Sequence, residues 1–335
     1  SDSMQILASQ LLKEDPTSNP LSTAQTLEKY LEHCNRPSAD AKDDSTDFDE
    51  SHRNIEKHYL IKGKRIQVYY DSELVAKTIH PALEYLEVDA TTTSDITFDV
   101  YIRAKQLYLY SNKELICCVP QQEYHRIQGK FSMYLLCYLH NKTERDWLGT
   151  FHGSTITDGN SSILFAGQSG KGKSTLCALL VASGFTLLAD DVSPMLSGSQ
   201  NIYYNPSALS IKKGAFKLLE PLVEGFNNLP ITQFNTSKGL IKYMPCKAPK
   251  ADFYPCKGIV LINYKANAET RLETVSIKTL LETLIPESWL SPNAEHAREF
   301  LDWLRTVKYY KLTYSNSKSV SQDISQLFHQ LNKNE

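Results

Sequence analysis

At 335 residues, with 41% hydrophobic and 22% charged side chains, the chain can bury the core of one large domain or two ordinary ones. A net charge of −2 argues against a general nucleic-acid binder. The apolar runs are far shorter than a bilayer span and no secretory apolar region opens the chain, so no membrane partner is expected. Seven scattered cysteines, with no C-x-x-C spacing, suit reduced thiols in a cytoplasmic protein better than a disulfide framework or a zinc site.

Ser1-Asp2-Ser3 ahead of Met4 reads as a cloning remnant. Residues 1–53 are expected to form a polar N-terminal extension, with weak helical periodicity at 5–13 and 22–33 and a linker rich in Asp, Ser and Lys at 35–53. Residues 54–128 read as a small α+β unit. Strands are expected at 65–70 and 98–102, a hairpin joins 107–110 to 115–119, and a helix covers 74–86. This unit carries no dense catalytic motif and could dock substrate, mediate assembly or act as a structural lid. Residues 129–335 are expected to form the main domain. It opens with a helix at 130–148, apolar on most faces and buried between the two units, with Tyr134 and Tyr138 in the core.

Residues 149–157 read as a strand carrying His152, followed by Asp158-Gly159-Asn160 as a hairpin turn and by the apolar strand 162–166. A turn centred on Gly159 would set position 152 opposite position 166. A lone histidine is commonly a hydrogen-bonded core side chain, but this register would bring His152 beside the next motif. That motif, at 167–175, is a complete G-x-x-x-x-G-K-[ST] phosphate-binding loop. Gly167, Gly170 and Gly172 let backbone N–H groups turn inward around phosphate oxygens, together with Ser169, Lys171 and Thr175. A helix leaving the loop, ending at Gly184, adds its N-terminal partial charge. Lys173 can reach the β and γ phosphates of a nucleotide such as ATP, and the Ser174 hydroxyl can ligate Mg²⁺.

The next strand, 185–189, ends in Asp190-Asp191. A strand–helix–strand crossover makes the two strands parallel, so their carboxyl ends share one edge. The acidic pair is therefore expected beside the phosphate loop. Adjacent carboxylates alternate in direction, so one can serve Mg²⁺ while the other takes a proton from an acceptor hydroxyl. Farther on, Lys212 or Lys213 could enter the site as a charge clamp or decorate a strand end. Lys242, Lys247 and Lys250 suggest an exposed basic loop. A strand at 258–264, helices at 277–284 and 294–307, a strand at 309–314 and a helix at 320–331 complete a mixed α/β region.

From His152 to Asp191 the sequence resembles the catalytic core of HPr kinase/phosphorylase. The resemblance rests on His152-Gly153, Gly167 to Ser174, and Leu187-Leu188-Ala189-Asp190-Asp191, in that order and spacing. It implies a phosphoenolpyruvate-carboxykinase-like P-loop core with a smaller N-terminal α+β unit. It implies Asp190 as general base, Ser174 and Asp191 on Mg²⁺, and His152 and Lys173 supporting the phosphates. It also implies assembly into a homo-oligomer. The family's Glu-x-Arg-Gly signature has no counterpart here; residues 205–212 stand in its place. The chain is more similar to divergent relatives such as the lasso-peptide kinases, which phosphorylate a C-terminal serine. The expected function is a Mg²⁺-ATP-dependent kinase acting on a serine of a protein or peptide. A small-molecule kinase, for instance of free serine, and a non-catalytic nucleotide switch are the alternatives.

Overall fold

Strands buried on both faces govern the architecture. In the computed structural model, which describes residues 47–90, 93–233, 239–315 and 317–333, the expected helices at 5–13 and 22–33 lie outside the described residues. Within the expected linker, the Asp49 carboxylate accepts from Ser51 N–H at the start of a 3₁₀ turn, Glu50–His52.

A five-stranded sheet follows, in the order β1 (Ile55–Ile61), β2 (Lys64–Tyr70), β3 (Ile96–Arg103), β4 (Gln106–Ser111), β5 (Glu114–Pro120). Strand β1 is too polar to stand out in the sequence. The β4–β5 turn places Asn112 and Lys113 at positive φ (49° and 71°), the conformation a tight hairpin requires. The single helix expected at 74–86 is instead α1 (Glu73–Ala76), α2 (His80–Leu83) and a 3₁₀ turn at Glu84–Leu86; Pro81 sits at the start of α2 and denies it a continuous hydrogen-bond ladder.

Helix α3 (Tyr124–His140) starts and stops earlier than its apolar pattern suggests, because Asn141 caps it in the left-handed region at φ 51°. It runs through the boundary expected at 128/129. Ile127, Phe131, Leu135 and Leu139 join the core of the five-stranded sheet, while Met133 and Leu136 pack on Trp147 and Tyr203 of the next sheet. Tyr134, read as core, is exposed. Further ties cross between the two parts. His140 Nε2 lies 2.8 Å from the Tyr204 carbonyl oxygen, Ala208 N–H donates to the Ala82 carbonyl at 2.9 Å, and Lys62 pairs with Asp252. Residues 49–335 accordingly form one compact unit.

The large sheet is built around β15 (Phe253–Tyr264). Its first residues pair with β11 (Asn201–Tyr203), and through it with β10 (Ser193–Leu196), β6 (Trp147–Phe151) and β17 (Trp289–Leu290). Its later residues lie parallel to β8 (Ser162–Ala166) on one side and to β18 (Lys308–Tyr314) on the other, with β16 (Arg271–Thr274) beyond β18. From β8 the sheet continues to β7 (Gly153–Thr157) and β9 (Thr186–Ala189). Ile163 and Phe165 of β8 and Val260 and Ile262 of β15 face α4 (Lys173–Ala182) and the C-terminal helix, Ser317–Lys333. Leu164, Ala166, Ile259 and Leu261 face the helices Ile277–Leu284 and Ala294–Thr306. Burial on both faces explains why these strands read as continuous apolar runs. A small sheet, ordered β12 (Leu209–Lys212), β14 (Leu240–Met244), β13 (Ile231–Gln233), caps one end. Lys242 lies on β14, buried, rather than in the exposed loop expected for it.

The segment expected as one strand at 149–157 breaks at His152. Residues before it pair with β10 and β17, and residues after it with β8 and β9. At Gly153 the neighbouring strand comes so close that an added Cβ would stand 2.5 Å from the Phe165 carbonyl oxygen. Gly153→Ala should therefore cost about 1–3 kcal/mol, lowering the urea midpoint with little change in slope. An unchanged midpoint would show that the β7–β8 ladder can yield there.

Candidate functional site: a phosphate loop flanked by two carboxylates

Gly167, Gly170 and Gly172 all adopt positive φ (146°, 83° and 92°), so the loop depends on glycine at each position. Gly172 caps α4, whose N-terminus points its free N–H groups into the loop. Strands β8 and β9 both run antiparallel to β7, which lies between them. They are therefore parallel to each other, though not adjacent as a simple crossover suggests, and their carboxyl ends share the edge where β7 begins.

The hairpin register differs from expectation by one position. Asp158 Oδ1 accepts from both Asn160 and Ser161 N–H at 2.9 Å, making a four-residue loop, and Gly153, not His152, pairs with Ala166. His152 still reaches the loop: its Nε2 is 3.3 Å from Lys173 Nζ. The same nitrogen lies 3.4 Å from Glu287 Oε2, and the Ser288 hydroxyl accepts from His152 N–H at 3.3 Å. Pairing of Trp289 with Thr150 brings Glu287 there. Glu287 has no motif in its surroundings, and only the β17–β6 pairing reveals it.

Lys173 is 6% exposed. Its ammonium donates to the Gly167 carbonyl at 2.5 Å and sits 3.5 Å from that of Gln168. Burial pushes its pKa below the ordinary lysine range, opposed by Asp191, Glu287 and Asp190.

The two carboxylates differ sharply. Asp190 is 3% exposed. Its Oδ1 accepts from Ser154 Oγ at 2.5 Å and Ser174 Oγ at 3.1 Å, and its Oδ2 accepts from Ser210 N–H at 3.0 Å. Asp191 is exposed, with its backbone at φ 59°, a left-handed conformation that costs a non-glycine residue on the order of 1–3 kcal/mol. So the residue expected to face an acceptor is buried on the loop serine, and the residue expected on the metal faces the cleft. Ser154 and Ser210 were not legible as site residues, since they reach Asp190 from strands distant in sequence.

Burial, then repulsion from Asp191, raises the Asp190 pKa from 3.8 to about 7, against the hydrogen bonds from Ser154, Ser210 and Ser174. The neutral form is thus favoured in the fold. Its contribution to stability is complete below pH 3.8 and is lost as pH rises through about 7.

His152, Lys173, Ser174, Asp190, Asp191 and Ser210 line a cleft of about 990 Å³. One wall holds Ser169, Gly170, Gly172, Ser174 and Thr175 of the loop; Lys171 is exposed and lies outside the lining. Lys212 borders the cleft and Lys213 does not. The lining also takes in Thr78, Ile79, Ala82 and Leu83 around α2 and His125, Gln128, Gly129 and Ser132 of α3.

Among the described residues there is no cluster of three or more His, Cys, Asp or Glu able to hold a metal. The donor set nonetheless fits Mg²⁺, which is commonly held by one or two carboxylates together with substrate phosphates. Ser174 Oγ and the Asp190 carboxylate already touch.

No family model matches the sequence, and no curated protein matches it. Among solved structures, the Hpr(Ser) kinase/phosphatase from Coxiella burnetii aligns over 56% of this chain and 99% of that one, at 13% identity and a TM-score of 0.25. Among the described residues, no helix is long and apolar enough to cross a membrane.

A cation that binds Asp190 must displace its proton. Apparent affinity for Mg²⁺-nucleotide should therefore rise roughly tenfold from pH 6 to pH 8, as read by titration calorimetry. A flat profile would remove Asp190 from the cation site.

Proposed function

We propose that the chain is a Mg²⁺-ATP-dependent phosphotransferase with a carboxykinase-like P-loop core, related in kind to HPr kinase, that phosphorylates a serine hydroxyl of a protein or peptide. The observation that carries this reading is the pairing of buried Asp190 with the loop's Ser174, beside exposed Asp191. A loop that only bound nucleotide would need no second carboxylate facing an open cleft.

The roles follow from surroundings. The N–H groups of the loop and Lys173 bind the β and γ phosphates. Ser174 and Asp190 hold Mg²⁺, which when bound supplies charge neutralisation across the phosphates. Asp191, in the cleft, orients the acceptor hydroxyl and takes its proton, the role that needs access. This reverses the two aspartates relative to the sequence expectation. His152, set between Lys173 and Glu287, steadies the ammonium that faces the phosphates. The acceptor enters against α2 and α3, giving the N-terminal sheet and its helices a docking function. None of the six described cysteines is in a disulfide, which suits the cytoplasm.

Transfer of labelled γ-phosphate from ATP to serine peptides tests the proposal. Asp191→Asn should lower transfer by about 10²–10⁴-fold while Mg²⁺-ATP still binds. Lys173→Ala should abolish transfer and weaken nucleotide binding as well. If Asp191→Asn transfers phosphate at the wild-type rate, Asp191 is not the base.

A further inference from the structure

The order of strands gives the cleft a direction. Strand β8, which feeds the phosphate loop, has β7 on one side and β15 on the other. The β7 side carries His152 and, one strand farther, Asp190 and Asp191 at the end of β9. On the other side β15 and β18 end as a parallel pair in Tyr264 and Tyr314. Both tyrosines line the cleft.

The two differ in burial and attachment. Tyr314 is 2% exposed, and its hydroxyl donates to the Gly172 carbonyl at 3.3 Å. Tyr264 is 49% exposed. Its ring meets that of Tyr314 edge-on, with centroids 5.6 Å apart and planes at 73°. A Cβ added to Gly172 would stand 3.8 Å from the Tyr264 Cβ. A buried tyrosine tethered to the phosphate loop thus braces a second, half-exposed ring beside that loop. The sheet core does not need the Tyr264 ring, since half of it faces solvent. What it offers the cleft is a flat, immobilised apolar face at the end remote from the carboxylates.

We infer that Tyr264 is the platform on which the nucleobase stacks, so that the phosphate chain runs from it across the loop toward Asp190 and Asp191. The inference rests on reading the loop as a nucleotide phosphate site. A π-face makes no hydrogen bonds to base edges, and stacking tolerates any base. The chain therefore takes ATP and GTP with similar affinity.

Calorimetric titration of the full chain with Mg²⁺-ATP, Mg²⁺-GTP and Mg²⁺-tripolyphosphate separates base from phosphate. Wild type should bind all three, with the two nucleotides within about fivefold of each other. Tyr264→Ala should weaken both nucleotides by about tenfold or more and leave tripolyphosphate unchanged, while Tyr264→Phe should bind as wild type. The inference is overturned if Tyr264→Ala leaves ATP affinity intact, if it weakens tripolyphosphate equally, or if Tyr264→Phe is as defective as the alanine variant. A wild-type protein that binds neither ATP nor tripolyphosphate would overturn the phosphate-site reading itself, and the stacking role with it.

Discussion

One buried carboxylate ties the site together. Asp190 sits at the end of β9, and its partners come from three other places: Ser154 on β7, Ser174 on the loop helix and Ser210 on the small capping sheet. A carboxyl group taken out of water beside a second carboxylate is unfavourable, whichever form it holds, unless its polar atoms are partnered. Satisfying Asp190 therefore fixes the positions of four elements at once. The network makes the loop helix and the capping sheet mechanically continuous with the strand that carries the acidic pair.

The capping sheet solves a similar problem with the opposite charge. Lys242 is buried, donates to the Phe226 and Asn227 carbonyls at 2.9 and 3.1 Å, and lies over the rings of Phe216 and Phe226. A lysine held by carbonyl oxygens and aromatic faces closes the segment 216–228 onto β14. That closure supports β12, the strand that offers Ser210 to Asp190 and Lys212 to the cleft. Read from sequence, Lys242 is one of several lysines among prolines and looks exposed. Its alternation with Ile241 on a short strand is too weak a signal to reveal a buried cation.

The same distinction marks what could be read from the chain at large. Strand β8, its loop and α4 are legible because apolar residues buried on both faces and three obligatory glycines leave a local signature. The end of β9 beside the loop follows from topology alone. Contacts made by pairing between distant strands leave no such trace. Glu287 approaches His152 only because Trp289 pairs with Thr150, and the break at His152 arises because two different parts of the large sheet claim the residues on either side. The hairpin register missed by one position because the Asp158 carboxylate closes a longer turn than the Asp-Gly pair implies.

Lys173 shows how such a site is held ready. Its ammonium rests on the Gly167 and Gln168 carbonyls and against His152 Nε2, the ring nitrogen that Glu287 also approaches. Neutral carbonyls are weaker partners for a buried cation than phosphate oxygens would be, because charge-assisted hydrogen bonds are roughly twice as strong. The loop thus keeps its lysine satisfied without anchoring it irreversibly. A polyanion entering the loop gains the lysine's charge while the carbonyls lose little. The gain is largest where water is excluded, at the base of the loop where Lys173 is buried. The N-terminal sheet and its helices, which show no catalytic motif, shape the medium in which the charges of the loop act.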